Sequence, residues 1–215
     1  MLWLIYEFFK LIMLLIFPFI LLIRGAVFLH ERYGLAPWIS TMGGVGFSAI
    51  LLFIYFSFFY GKLTGSLGGF DAMKRRFTIA VLLMVLFSLQ GILFFSSDNA
   101  KTSDIRNTIS EVHPILRLSV STLIYLDKGL LITDAQRQPE DYRNMGFQQK
   151  SHSLHYEQED GYTHALDLRT KDRSEIRNSL TKLYFKLMGF NTLRHVGSAD
   201  HLHISLLSHD RPTAI

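Results

Sequence analysis

Two segments of this chain carry side chains that, brought together, could bind a metal ion. Residues 151–170, SHSLHYEQEDGYTHALDLRT, offer His155 and Tyr156, then a turn-rich acidic insert, then an alternating apolar run that reaches Asp167. Residues 199–206, ADHLHISL, read as a short strand. His201 and His203 share one face of it, because side chains two apart in a strand point the same way. The chain has no cysteine, so zinc would have to be held by nitrogen and oxygen. Two imidazoles and a carboxylate, with one position left open, form the arrangement of a catalytic zinc site.

The elements that must position these residues divide the chain in two. Hydrophobic residues make up 49% of the sequence, more than an ordinary soluble domain carries. Only ten charged residues fall in 1–95, whereas 96–215 holds thirty, fifteen of each sign. The net charge of +4 therefore belongs to the first half. No basic cluster beyond Lys74-Arg75-Arg76 is present, so no nucleic-acid partner is expected. Three apolar runs, about 1–23, 45–60 and 77–95, approach the ~20 residues a helix needs to cross a bilayer. They are expected as transmembrane helices in contact with lipid. Two further spans follow the first and no small-residue cleavage site stands out, which argues against a signal peptide. Ser48, Ser57, Ser88 and Gln90 within the spans read as tolerated polar groups or helix contacts.

Loop charge sets the expected orientation. The second loop carries Lys62, Lys74, Arg75 and Arg76 against Arg24 and Arg32 in the first. The positive-inside bias then places the N-terminus and second loop in the cytoplasm and the C-terminal half outside. In a bacterium this is the inner membrane, with the C-terminal half in the periplasm or extracellular space. The glycines of GKLTGSLGGF lack phosphate-loop spacing and read as a flexible connection.

Residues 96–112 read as a polar linker and 113–215 as a separate domain. His113-Pro114 opens an expected helix to about Leu126, with Pro in the first turn and Gly129 beyond the end. Residues 130–133 read as a short buried strand. A further amphipathic helix is expected over 172–188, with Asp172 and Glu175 resembling a capping box and Gly189 as the stop. Its stripe of Ile176, Leu180, Leu183, Tyr184 and Leu187 is expected to pack on the sheet as core.

Ser153-Leu154-His155-Tyr156-Glu157, Ala165-Leu166-Asp167-Leu168-Arg169-Thr170, Asp172-Arg173-Ser174, Gly189-Phe190 and His201-Leu202-His203, in that order, resemble the signalling domain of hedgehog proteins. That domain shares its zinc fold with the LAS peptidases: D-Ala-D-Ala carboxypeptidases and dipeptidases, and L-alanyl-D-glutamate endopeptidases. The resemblance covers roughly the last hundred residues. It implies a membrane-anchored α+β protein, with three transmembrane helices followed by a small antiparallel-sheet zinc domain with packed helices. The zinc ligands it implies are His155, Asp167 and His203. Asp200 stands where many of these enzymes carry the general base, and His201 resembles an auxiliary histidine of the site and is the alternative base. Arg137 matches a substrate-binding arginine, for which a surface arginine at a strand end is the plain alternative. Ser153 matches a serine that supports the site.

More residues separate His155 from Asp167 than is usual in the family. Residues added at the tip of an antiparallel hairpin leave its arms paired, so His155 and Asp167 are still expected to face each other. His164 is out of phase with Asp167, and His152 with His155, so neither is expected as a ligand. Tyr156 reads as packing, and His195 and His209 as solvated loop residues. The resemblance implies a zinc metallopeptidase that cuts peptidoglycan stem peptides. The alternatives are a non-catalytic zinc-binding module tethered to the membrane, or a phage or effector lysis factor.

Overall fold

The computed structural model describes residues 2–144, 146, 152–197 and 200–211. Ser151 and Ala199, which open the two segments quoted first, lie outside them. The protein is an α+β fold in which three long apolar helices precede a small antiparallel sheet. The helices are α1 (Leu2–Tyr33), α2 (Pro37–Thr64) and α3 (Phe70–Leu93), each long and apolar enough to cross a membrane. Glycine permits the close approach of α1 and α2. A Cβ on Gly44 would lie 2.2 Å from the Leu22 carbonyl oxygen, so only glycine lets the two backbones meet there. Ser48 is a helix contact, since its hydroxyl donates to the Pro18 carbonyl across the same interface at 2.6 Å.

All three helices are longer than expected: α2 and α3 begin earlier, at Pro37 and Phe70. The α1 helix, expected to stop near Ile23, continues through Arg24, His30, Glu31 and Arg32 to Tyr33. At 1.5 Å per residue a helix of that length is about 48 Å long, well beyond a ~30 Å hydrocarbon core. Charged residues end a membrane span without ending a helix, and the connection to α2 is only Gly34–Ala36. The last turns of α1 do packing work instead. Leu22, Ile23, Ala26 and Val27 are fully buried in one continuous core with Ile115, Leu116, Leu118, Phe185 and Phe190 of the C-terminal half.

The element that joins the two halves is α5 (Pro114–Leu126), with His113 as its N-cap. It is buried over most of its length, Arg117, Ser119 and Ser121 included. Residues 96–112, expected as a linker, instead fold into short 3-10 turns and α4 (Ser103–Thr108). Ala100 also bridges to Ile132. The sheet follows, with β1 (Ile132–Asp134), β2 (Ala165–Arg169), β3 (Asn191–His195) and β4 (His201–Ser205) in the order β1-β2-β4-β3, every pair antiparallel. Leu166, Leu168, Leu202 and Ile204 are buried in the shared core. Alternation sends Asp167, His201 and His203 to the other face.

Between α6 (Pro139–Asn144) and β2 the chain departs from the expected hairpin. His155 lies in a turn, not a strand, and β2 pairs with β1 and β4. A single antiparallel bridge, Glu157 to Thr163, is what remains of the hairpin arms. The last helix, α7 (Glu175–Met188), is capped by Ser174, whose hydroxyl accepts from the Arg177 N–H. Asp172 is not its cap: it lies two residues before Ser174, in a left-handed conformation with φ of 64°. The stripe expected as core is also wrong for the most part: Ile176, Leu180, Leu183 and Leu187 are exposed. Asn178, Thr181, Phe185 and Met188 form the buried face. Helical spacing was right and the face was not, because Asn178 and Thr181 satisfy their polar groups internally. Asn178 donates to the Thr170 carbonyl, and Thr181 accepts from Arg173.

Two substitutions distinguish these faces. Phe185→Ala, at a residue with no exposure, should cost about 3–5 kcal/mol. Ile176→Ser, at 74% exposure, should change stability by less than about 0.5 kcal/mol. Denaturant midpoints of the detergent-solubilised chain would read both. The reverse ranking would restore the expected core stripe.

Candidate metal centre

Register builds the centre from two strands. Asp167 on β2 stands directly opposite His203 on β4, and Arg169 opposite His201, so their side chains share a face at the shortest cross-strand distance. His155 reaches the same point from its turn, which is fixed by backbone bonds at each side. The Arg137 N–H donates to the His155 carbonyl at 2.9 Å, and the His164 N–H to the Leu154 carbonyl at 2.9 Å. The structure thus brings His155, Asp167 and His203 together although the expected hairpin is missing. All three are buried.

His203 Nδ1 lies 2.9 Å from Asp167 Oδ1, His155 Nε2 lies 3.4 Å from the same oxygen, and the two ring nitrogens are 3.3 Å apart. Ligands about 2.0–2.1 Å from zinc in a tetrahedral set stand ~3.3 Å from one another. Hydrogen placement points the same way. His155 Nδ1 lies 2.5 Å from the Ala135 carbonyl, which can only accept, so the ring hydrogen is there and Nε2 presents a lone pair. A metal-binding histidine characteristically donates its other N–H to a carbonyl in this manner. Three potential acceptors, His155 Nε2, His203 Nδ1 and Asp167 Oδ1, then converge with at most one hydrogen among neutral rings. His203 Nε2 is a buried nitrogen with no hydrogen-bond partner. The donor set fits a divalent cation such as zinc, with His155, Asp167 and His203 as the residues that could hold it.

Around these three sits a supporting set. Arg137 donates from Nη2 to Asp167 Oδ2 at 3.1 Å, from Nε to Asp134 at 2.6 Å, and from Nη1 to the Tyr142 hydroxyl at 3.1 Å. Tyr142 in turn meets Ser153 Oγ at 2.9 Å, and Ser153 accepts the His155 N–H at 3.3 Å. Arg137 and Ser153 are therefore linked through Tyr142, a residue the sequence did not single out. Burial alone would raise the Asp167 carboxyl, but the imidazoles of His155 and His203 against it outweigh burial and hold the group well below the usual carboxylate range. Burial pushes the His203 ring down, against the pull of Asp167, so it remains neutral, as a ligand must, to lower pH than an ordinary histidine.

The remaining expected residues fall at the rim. His201 is partly exposed, with Nε2 3.5 Å from Asp167 Oδ2. His195, expected in a loop, ends β3 opposite His201 and stacks on it with ring centroids 4.8 Å apart. Asp200 sits in a clamp. Arg194 donates to both of its oxygens, at 3.1 and 2.8 Å, and Thr170 donates at 2.6 Å. The Arg194 and Thr170 bonds lower its carboxyl to about 2. Tyr156 packs, as expected, edge-on to Tyr142. His164 lies in a different cluster. His209 is exposed, as expected, and its Nε2 lies 2.8 Å from the His30 carbonyl.

No protein-family model, curated protein or solved structure matches the chain.

The Asp200 clamp has a pH signature. A carboxyl lowered from an unfolded value of ~3.9 to about 2 stabilises the fold above pH 4, and loses that effect as pH falls through about 2. The stability gap between wild type and Asp200→Asn should therefore be present at pH 6 and closed near pH 2. A gap that does not change over that interval would mean the clamp is not formed.

Proposed function

We propose that this protein is a membrane-anchored zinc peptidase whose substrate is a peptidoglycan stem peptide. The observation that carries the reading is the convergence of His155 Nε2, Asp167 Oδ1 and His203 Nδ1 at 2.9–3.4 Å on one buried sheet face. Zinc held there supplies Lewis acidity, which polarises a peptide carbonyl and eases deprotonation of water near neutral pH. Arg137 acts through Asp167: with donors committed to Asp134, Asp167 and Tyr142, it fixes the carboxylate's orientation and compensates its buried charge. Ser153 and Tyr142 hold the His155 turn in place.

Proton transfer falls to His201 in preference to Asp200. A general base works best with a pKa near the working pH, and a carboxylate clamped at about 2 is a weak one. His201 lies on the same strand face as His203, at the partly exposed edge of the centre. Asp200 instead ties β4 to Arg194 and Thr170. The positive-inside bias supports an outward-facing C-terminal half in a bacterial inner membrane, because Lys62, Lys74, Arg75 and Arg76 flank the α2–α3 turn.

Digestion of muropeptides by the full chain in detergent tests the assignment. His203→Ala should abolish cleavage, and His201→Asn should lower kcat by about 10²–10⁴-fold. Asp200→Asn should cost less than about tenfold, since its role is outside the proton path. Greater loss from Asp200→Asn than from His201→Asn would return the base to Asp200. A second reading, a zinc-holding binding module, is favoured by the internal engagement of both Arg137 and Asp200. Zinc bound without any cleavage would select it.

A further inference from the structure

A second group of imidazoles shares no ligand with the first. His30 lies in the last turn of α1, His113 caps α5, Asp160 lies in the acidic insert beside Gly161, and His164 precedes β2. One ligand atom from each stands within 4.8 Å of the others. The three histidines are at most 4% exposed, and their ring centroids are 4.7, 4.8 and 5.5 Å apart. Asp160 and His164 are four apart in the sequence and pair locally, while tertiary packing brings His30 of α1 and His113 of α5 to them.

Hydrogen placement in this group leaves a gap that a cation fills. His164 places Nδ1 3.1 Å from the Leu207 carbonyl and Nε2 2.9 Å from Asp160 Oδ2. Both oxygens only accept, and a neutral ring has one hydrogen for the two. His30 places Nδ1 3.1 Å from the Leu35 carbonyl and Nε2 3.3 Å from the Leu207 carbonyl. A neutral ring has one hydrogen for those two oxygens. His113 accepts the Ile115 N–H at Nδ1, so its own hydrogen is on Nε2. That nitrogen is fully buried without a hydrogen bond and points toward Asp160 Oδ2 from 3.6 Å.

We propose that His30, Asp160 and His164, steadied by His113, bind a second divalent cation of zinc's class, and that this ion pins the end of α1 to the C-terminal half. One cation meets the His164 and His30 lone pairs and the Asp160 carboxylate together. The hydrogen bond from His164 to Leu207 is the outer support such a ligand uses. Imidazole with carboxylate and no sulfur suits zinc and its first-row neighbours. The ligand atoms must close from 4.8 Å to the ~3.3 Å of a tetrahedral set. Asp160, whose side chain is 23% exposed on a turn, is the member best able to move.

The test is zinc content of the full chain, purified in detergent, loaded with zinc chloride and desalted. Wild type should hold about two ions, His155→Ala about one, and Asp160→Asn about one. In Asp160→Asn the new amide donates to His164 Nε2, so the empty cluster remains hydrogen-bonded and the fold is spared. Zinc should raise the melting midpoint of His155→Ala but not that of the His155→Ala/Asp160→Asn double variant. Equal zinc in wild type and Asp160→Asn would overturn the second site. A single ion lost in Asp160→Asn and kept in His155→Ala would uphold it and overturn the first centre instead.

Discussion

The structure turns on one buried carboxylate. Asp167 is 3% exposed and meets His155, His203, Arg137 and His201. An isolated carboxylate in that position would be driven to its neutral form. Here the neighbouring donors reverse the effect of burial, and removal of one partner from such a buried pair costs ~3–5 kcal/mol. The turn that carries His155, the β2–β4 register and the Arg137–Tyr142–Ser153 chain all follow from keeping this group charged and oriented. A divalent cation would meet the remaining demand, because the ring nitrogens offer it lone pairs.

The second constraint is that the two halves are one folding unit. Leu22, Ile23, Ala26 and Val27 of α1 lie in the same core as α5, α7 and the sheet. A C-terminal fragment cut from its helices would expose that surface. The packing also carries His30 to His113, Asp160 and His164, so the geometry of that cluster reports on how α1 is docked.

Legibility in the sequence followed the range of the interaction. Periodicity and caps gave the three apolar helices, the helix from Pro114 to Leu126 and the stop at Gly189, all of them local features. Asp167 and His203 were readable because β2 and β4 alternate cleanly. His155 meets Asp167 and His203 through a different local structure from the expected one: a turn, not a strand, delivers it. The extension of α1 to Tyr33 was hidden because Arg24 and Arg32 look like loop residues when only the membrane limits the helix. The buried face of α7 was missed because Asn178 and Thr181 look like surface residues until their partners, Thr170 and Arg173, are in place. Tyr142, Arg194 and the placement of His30 and His113 depend wholly on tertiary contacts and left no mark on spacing.

X-ray absorption at the zinc edge, recorded on the Asp160→Asn chain, reads the His155–Asp167–His203 centre alone. A first shell of nitrogen and oxygen at about 2.0–2.1 Å is expected, with imidazole scattering beyond it, and it should disappear in Asp167→Ala. A chain that takes up no zinc, or a spectrum without imidazole, would contradict the assignment of His155, Asp167 and His203.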